Sequence, residues 1–234
     1  MRLGGRAFDK SRDIAFIPNY IKYAEGSCLA SFGNTKVICT ATLEDRVPIF
    51  QKGTGLGWIS AEYGMLPRAT GTRNDREAVK GKQSGRTQEI QRLISRSLRA
   101  TVDLRIMGER QIKIDCDVIQ ADGGTRTASI CGGCIALYLA LKKAPCRTNP
   151  FKNFVAAISC GILQGGEAAV DLDYNEDSNA LVDANFVMLD DGKMVEVQGT
   201  GENDSFSSAQ FIQMLNLAQN TIAEIIELQK ATVF

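Results

Sequence analysis

The chain has 234 residues, of which 44% are hydrophobic and 23% are charged, the composition of an ordinary globular protein with room for a sizeable core. Lysine plus arginine number 27, as do aspartate plus glutamate, so net charge favours no class of partner. The absence of histidine excludes a Ser-His-Asp triad, a histidine-ligated zinc and an imidazole base. No apolar run approaches the roughly 18 residues of a membrane span, so we expect no membrane partner.

Seven cysteines are scattered along the chain, and this odd count is typical of free thiols in a reducing compartment. We therefore expect a cytoplasmic protein. Cys131 and Cys134 form a C-x-x-C pair, but without a second pair or a histidine they predict no structural zinc. Because Cys134 lies in an apolar helical stripe, the pair is interpreted as packing rather than as a redox dithiol.

The first part of the chain is predicted to be mostly β-structure. Alternating apolar and polar residues favour strands over 14–21, 28–32, 36–43 and 57–63, the second and third forming a hairpin at Gly33-Asn34. A polar segment over 65–84, rich in arginine, glycine and threonine, follows. A loop of that length inside a compact domain is usually functional or mobile.

A helix is predicted over about 86–106 from its 3.6-residue periodicity. Its apolar face contains Ile90, Leu93, Ile94 and Leu98, and its opposite face contains Arg92, Arg96 and Arg99. Arg86 shares the spacing of the apolar face, so we expect it to point toward the core at the helix N-terminus. A cation is unfavourable there unless an anion lies beside it. The alternative is a frayed first turn from which Arg86 reaches solvent.

The junction over 120–129, with the sequence QADGGTRTAS, joins a predicted strand over 112–118 to a predicted helix over 127–143. Free backbone N–H groups and the helix dipole favour an anion at such an N-terminus. Beside Gly124 and Thr125, Arg126 adds a planar fork of donors suited to phosphate. We interpret the junction as an oxyanion or phosphate pocket. The alternative is a glycine-rich turn with a solvated arginine.

The second half of the chain continues with strands and a final helix. Strands are predicted over 154–163, 169–174, 185–189 and 194–198, and a helix begins near 207. The order of elements predicts an α+β fold in which helices pack on a mixed β-sheet. No linker composition divides it, so residues 1–234 are expected to form one domain.

Charge is distributed unevenly along the chain. From Arg68 to Arg99 there are nine basic and three acidic residues, a segment suited to a polyanion. From Glu167 to Asp191 there are eight acidic residues and no basic ones, and carboxylates there are candidates to hold a hard cation. For both runs the alternative is a solvated face. Within the acidic run, Asp177 and Asp183 flank a short polar link between two predicted strands, where they could serve as metal ligands or as an acid–base group.

Several stretches together resemble the RNase PH family of phosphate-dependent 3′→5′ exoribonucleases. They are YAEGS at 23–27, GWISAEYGMLPR at 57–68, GRT at 85–87, DCDV at 115–118, QADGGTRTAS at 120–129, DS at 177–178 and EVQGT at 196–200. The resemblance covers nearly the whole chain. It implies the fold of polynucleotide phosphorylase and the exosome ring, and a homohexamer built as a trimer of dimers. The implied activity is trimming of tRNA precursors and other RNA 3′ ends, not DNA.

The resemblance also implies roles for particular residues. Arg86, Gly124, Thr125 and Arg126 fall where the family binds inorganic phosphate, and Asp177 and Asp183 where it has an acidic pair associated with Mg²⁺ and catalysis. Arg68, Arg73 and Arg76 correspond to a segment tied to RNA binding and subunit contacts, and Arg92, Arg96 and Arg99 are candidates for the same two roles. Asp183 has a second candidate role, protonation of the leaving 3′ oxygen. The competing functions are a non-catalytic RNA-binding ring subunit and a hydrolytic nuclease.

Overall fold

A computed structural model describes residue 2, residues 5–201 and residues 204–234. Within them the chain forms two β-sheets and several helices. The strands are β1 Ile14–Pro18, β2 Gly26–Phe32, β3 Thr35–Glu44, β4 Trp58–Met65, β5 Gln111–Gln120, β6 Val155–Ile162, β7 Ala168–Val170, β8 Val182–Leu189 and β9 Met194–Gly201. The helices are α1 Glu77–Lys80, α2 Gly85–Arg99, α3 Leu104–Met107, α4 Thr125–Lys143, α5 Tyr174–Asn179 and α6 Ser208–Val233.

The first half of the chain builds a five-stranded sheet in the order β1-β2-β3-β5-β4. β4 runs parallel to β5 and the other neighbours are antiparallel, so the sheet is mixed. The predicted hairpin joins β2 to β3, with Gly33 at φ 56° in the turn, where a side chain would be strained. The second half builds an antiparallel sheet in the order β7-β6-β8-β9. The α+β class predicted from the sequence is confirmed.

Helix α4 lies between the two sheets, in contact with β2 and β3 on one side and β6 on the other. It is therefore buried on nearly every face, and not along one stripe as its amphipathic spacing predicts. Small residues allow the close approach, since a Cβ added at Gly26 of β2 would lie 1.9 Å from the Ala136 carbonyl oxygen. The position of α4 fixes its N-terminus relative to both sheets.

The C-x-x-C pair of α4 packs against β6. Cys131 Sγ accepts a hydrogen bond from the Ala157 N–H at 3.3 Å, and Cys134 Sγ accepts one from the Val155 N–H at 3.4 Å. Burial raises the pKa of the Cys134 thiol to about 12 and raises that of Cys131 as well. These protonated, enclosed thiols fit the packing interpretation, because a redox thiol needs thiolate character and access.

The predicted helix over 86–106 was too long. Helix α2 ends at Arg99, and a separate short helix, α3, begins after Asp103, whose carboxylate accepts a hydrogen bond from the Arg105 N–H at 2.9 Å. Between them, Val102 pairs with Phe151 in an isolated β-bridge. The Asp103 cap starts a new helix at this point, a local signal that the apolar periodicity does not show.

The predicted strand over 169–174 was too long, and the polar link after it was wrong. β7 ends at Val170, because Asp171 takes a left-handed conformation with φ 55°. Asp173 then starts α5 with a capping box, in which its side chain accepts from the Glu176 N–H and Glu176 accepts in return from the Asp173 N–H. Asp177 therefore lies on a short helix rather than at a strand end.

Candidate active site

A cleft of about 410 Å³ lies where the two halves of the chain meet. All six residues predicted to bind phosphate or to form the acidic pair line it: Arg86, Gly124, Thr125, Arg126, Asp177 and Asp183. They come from the start of α2, the N-cap and first turn of α4, helix α5 and strand β8. The structure thus brings together cations and carboxylates that are far apart in the sequence.

The turn before α4 depends on its two glycines. Gly123 and Gly124 have φ of 76° and 67°, a region that residues with side chains avoid. A Cβ at Gly123 would lie 2.4 Å from the Leu172 carbonyl oxygen, so the second half of the chain packs directly on the turn. Gly124 is the N-cap of α4 and supplies no side-chain acceptor, which leaves the helix end suited to an anion in the cleft.

A buried ion pair holds this turn in place. Asp171 accepts from the Arg12 backbone N–H at 2.7 Å, from its Nε at 2.9 Å and from its Nη2 at 2.7 Å. Arg12 Nη1 donates in turn to the Asp122 carbonyl oxygen, and the Thr35 hydroxyl donates to the Gly123 carbonyl oxygen at 2.6 Å. Burial alone raises the pKa of Asp171, but the hydrogen bonds and charge of Arg12 outweigh it, so that pKa is lowered overall.

The acidic run is therefore divided between three environments. Asp171 pairs with Arg12 and Arg6, and Glu176 pairs with Arg2 and Arg6, so arginines of the N-terminal segment neutralise this part. Asp191 lies in the turn between β8 and β9 and pairs with Lys193. Asp177 and Asp183 line the cleft. Sequence reasoning missed the arginine partners, since they lie about 160 residues away in the chain.

Arg86 does not point toward the core, contrary to the expectation from its spacing. It is exposed in the first turn of α2, and Thr87 takes the inward position, where its hydroxyl donates to Glu77 at 2.8 Å. The Thr87 N–H is also capped by the Ser84 hydroxyl at 3.1 Å. The side chain of Arg86 nevertheless lines the cleft, so its charge faces the same space as Arg126.

Arg126 is held from one side by residues of α2 and β9. Its Nη1 donates to Gln198 Oε1 at 3.1 Å and lies 3.5 Å from Glu89 Oε1. Gln198 Nε2 donates to Glu89 Oε1 at 3.0 Å and to Glu196 Oε1 at 3.1 Å. The sequence offered only the EVQGT stretch as a signal for Gln198, and nothing in it indicated a contact with Glu89.

Tyr63 is a second contact that sequence reasoning missed. Its hydroxyl lies 2.8 Å from the Thr125 hydroxyl, in a buried position on β4. Burial raises the pKa of Tyr63, so its hydroxyl is protonated and able to donate at neutral pH. When Tyr63 donates, the Thr125 hydrogen is left to point at an acceptor in the cleft.

The donors around the acidic pair decide whether it fits a metal ion. Asp183 is half-buried on β8 and Asp177 is exposed on α5. In the described part of the chain, no group of three or more His, Cys, Asp or Glu side chains is placed to hold a metal. Two carboxylates still fit Mg²⁺, which commonly takes one or two carboxylates together with waters and substrate phosphate oxygens.

The six remaining arginines lie outside the lining of the cleft. Arg68, Arg73 and Arg76 are exposed on the segment before α2, where Arg73 pairs with Asp75 at 3.0 Å. On α2, Arg92 is exposed, Arg96 pairs with Glu196 at 2.6 Å, and Arg99 donates to the Ile59 carbonyl oxygen and stacks on Trp58. Their roles in RNA binding or subunit contact stay predictions.

Comparisons with known proteins show that the chain belongs to the 3′ exoribonuclease family. The model of domain 1 of that family matches residues 10–143, and the model of domain 2 matches residues 153–221. Ribonuclease PH of Rhodospirillum rubrum is 57% identical over 237 residues, covering 100% of this chain and 98% of the relative. The resemblance seen in the sequence is thereby confirmed.

Solved structures show the same fold at low identity. Rice Rrp46 superposes with a TM-score of 0.81 at 18% identity, covering 100% of both chains. A chain of the Archaeoglobus fulgidus exosome with RNA bound to the active site gives 0.83 at 22% identity, covering 97% of this chain and 91% of that one.

The function predicted from the sequence is also confirmed in its class: the chain is a phosphorolytic 3′→5′ exoribonuclease, a phosphate-dependent nucleotidyltransferase. No helix among the described residues is long and apolar enough to cross a membrane.

Proposed function

We propose that this chain trims the 3′ ends of tRNA precursors and of other RNAs with single-stranded ends. Inorganic phosphate would be the nucleophile, and nucleoside diphosphates the products. The observation that carries the proposal is the meeting of Arg86 and Arg126 with Asp177 and Asp183 in one cleft. The same four side chains count against a non-catalytic ring subunit, which would need none of them.

The chemistry suits a site without histidine. Phosphate is already an anion near pH 7, with a second pKa of about 6–7 by analogy with phosphate monoesters, so it needs no strong base. It needs to be brought up to another anion, the terminal phosphodiester. Arg86, Arg126, the Thr125 hydroxyl and the first N–H groups of α4 would hold it by charge-assisted hydrogen bonds, which also fix its direction of attack.

Asp177 and Asp183 would hold Mg²⁺ on the other side of the cleft. When bound, the ion supplies positive charge that offsets the charge developing on the scissile phosphoryl group. Protonation of the leaving 3′ oxygen would be an alternative role for Asp183, half-buried on β8, since a carboxylate that holds Mg²⁺ is ionised and has no proton to give. A hydrolytic nuclease is less well supported, because it needs an activated water or two metals, and among the described residues one carboxylate pair lines this cleft.

The proposed substrate, assembly and location rest on the surroundings of the cleft. The RNA end would be single-stranded, because its last phosphodiester has to enter the cleft between Arg126 and the acidic pair. Its backbone would follow the exposed arginines of the segment before α2 and of α2 itself, without DNA as a substrate. We further propose a cytoplasmic homohexamer, a trimer of dimers, in keeping with seven free cysteines and a fold shared with the archaeal exosome core.

Product analysis tests this proposal directly. The protein is incubated with a 3′-extended tRNA precursor and Mg²⁺, with and without inorganic phosphate, and the released nucleotides are identified. Diphosphates released only with phosphate, and lost on chelation of the metal, are expected. Nucleoside monophosphates released without phosphate would show that water, and not inorganic phosphate, is the nucleophile. RNA that is bound but never shortened would make the chain a scaffold, and a DNA end trimmed equally well would overturn the RNA preference.

A further inference from the structure

We infer that Gln198 is a positioning residue for the reaction: it keeps the Arg126 guanidinium open toward the cleft by separating it from the Glu89 carboxylate. The inference rests on the proposed role of Arg126 in binding phosphate. It assigns a task to a neutral side chain of β9 whose hydrogen bonds within the described part of the chain go to Arg126, Glu89 and Glu196.

The orientation of the Gln198 amide is fixed by its neighbours. Its nitrogen donates to carboxylate oxygens of Glu89 and Glu196, at 3.0 and 3.1 Å. Ionised carboxylates only accept hydrogen bonds, so the amide nitrogen must face them and the amide oxygen must face Arg126. That oxygen accepts from Arg126 Nη1 at 3.1 Å. An amide is thus the group that satisfies a cation and two anions at once.

The separation matters because Glu89 and Arg126 are close without being tightly paired. Their nearest atoms are 3.5 Å apart, longer than the usual 2.7–2.9 Å of a charge-assisted bond between N⁺–H and O⁻. Glu89 shares its oxygen Oε1 between Arg126 and the Gln198 amide. Without the amide, Glu89, whose side chain is 43% exposed, would be able to rotate onto the guanidinium and form a bidentate pair. Phosphate would then compete with an internal anion.

The remaining donors of Arg126 are left for a ligand. Among the described residues, the hydrogen bonds of its side chain all leave from Nη1, and the group is 17% exposed at the cleft. Glu196, the other carboxylate on the amide, pairs outward with Arg96 at 2.6 Å. The arrangement therefore holds one edge of the guanidinium and leaves the other edge toward the space shared with Arg86 and Thr125.

The test measures phosphate KM and kcat separately, at saturating RNA, in a set of variants. Gln198→Ala is expected to raise the phosphate KM about 10-fold, the lower end of what a hydrogen bond to a charged group contributes, with kcat changed less than the KM. Glu89→Gln in the Gln198→Ala background should restore most of the phosphate affinity, because the competing carboxylate is gone. Glu89→Gln alone should not raise the KM. Gln213→Ala, on an exposed position of α6, is the matched control.

The outcomes separate this inference from the proposed function. An unchanged phosphate KM in Gln198→Ala would overturn the role of Gln198. So would a double variant as impaired as the single one, since that result means Gln198 merely supports the structure. Both of these outcomes are interpretable when the wild type releases nucleoside diphosphates in the presence of phosphate. A wild type that does not would overturn the proposed function and this inference together. Equal thermal unfolding of all variants excludes a loss of fold.

Discussion

The acidic run over 167–191 and the basic segment over 68–99 are treated very differently by the fold. Two carboxylates of the acidic run are internal: Asp171 is fully buried against Arg12, and Glu176 is nearly so against Arg2. The basic side chains of the other segment stay mostly at the surface, and among them Arg86 lines the cleft. Local charge therefore indicates little about a ligand. Whether a charged side chain is neutralised inside the protein or faces a ligand depends on whether the fold supplies an oppositely charged partner from elsewhere in the chain.

The largest effect is expected from breaking the buried pair. Asp171→Asn leaves Arg12 buried without its carboxylate, which should lower the free energy of unfolding by about 3–5 kcal/mol. Denaturant unfolding measures this loss. Asp191→Asn, from the same acidic run but in an exposed turn, is the control and should change stability by less than about 1 kcal/mol. Equal effects of the two variants would mean that the acidic run is not divided as described.

The next largest effect concerns the basic segment. Arg86→Ala should lower kcat about 10²–10³-fold, the usual cost of losing one well-aligned donor to a developing charge, with the fold intact. Arg126→Ala should do the same. Lys82→Ala removes a charge from the same exposed segment and should leave kcat near that of the wild type. If Arg86→Ala keeps near-full phosphorolysis, Arg86 does not belong to the site.

Acid should reduce the stability that the buried ion pair of Asp171 with Arg12 contributes. The pKa of Asp171 is lowered in the folded protein, so its ionised form contributes stability that is complete above the unfolded pKa, about 3.9. That contribution is lost as pH falls below this value toward the folded pKa. Unfolding free energies measured between pH 6 and about 3 should therefore fall more steeply in the wild type than in Asp171→Asn. Parallel curves would contradict the lowered pKa.

The smallest expected effect is at Tyr63. Tyr63→Phe removes the hydroxyl that is hydrogen-bonded to the Thr125 hydroxyl, and should raise the phosphate KM about 5- to 10-fold, the net worth of roughly one hydrogen bond. In a Thr125→Val background the same substitution should have no further effect on KM, because the hydroxyl through which Tyr63 acts is missing. Additive effects in this double-mutant cycle would assign Tyr63 a packing role instead.

The part of the site that local sequence chemistry predicted most directly is one run of neighbouring residues, whereas joining it to Arg86, Asp177 and Asp183 needed the family resemblance. Gly124, Thr125 and Arg126 follow one another at a strand-to-helix junction, so their chemistry is visible in a short window. The contacts that hold them are made over long distances in the chain, as Arg12 with Asp171 or Arg126 with Gln198, and no periodicity reports such pairs. The residue roles themselves await the kinetic tests above.

The fold, like the site, was predicted from the sequence in some parts and missed in others. Strand positions and the central helix followed from alternation and periodicity, whereas the end of α2 and the start of α5 were missed. Asp173 caps the start of α5, and after α2 has ended at Arg99 a separate helix begins at the Asp103 cap, and neither cap is visible in the hydrophobic pattern. The pattern also could not show that the chain builds two sheets with α4 between them, because burial on every face of a helix depends on what surrounds it.

The cleft joins contributions from both halves of the chain, and its four charged side chains lie outside the hydrophobic core. Arg86 and Arg126 belong to the half matched by the first family domain, and Asp177 and Asp183 to the half matched by the second. Substituting either pair would therefore spare the packing that holds the protein together. A gene duplicate of such a chain is a few substitutions away from a folded but inert subunit, so architecture and catalysis in this family are free to evolve separately.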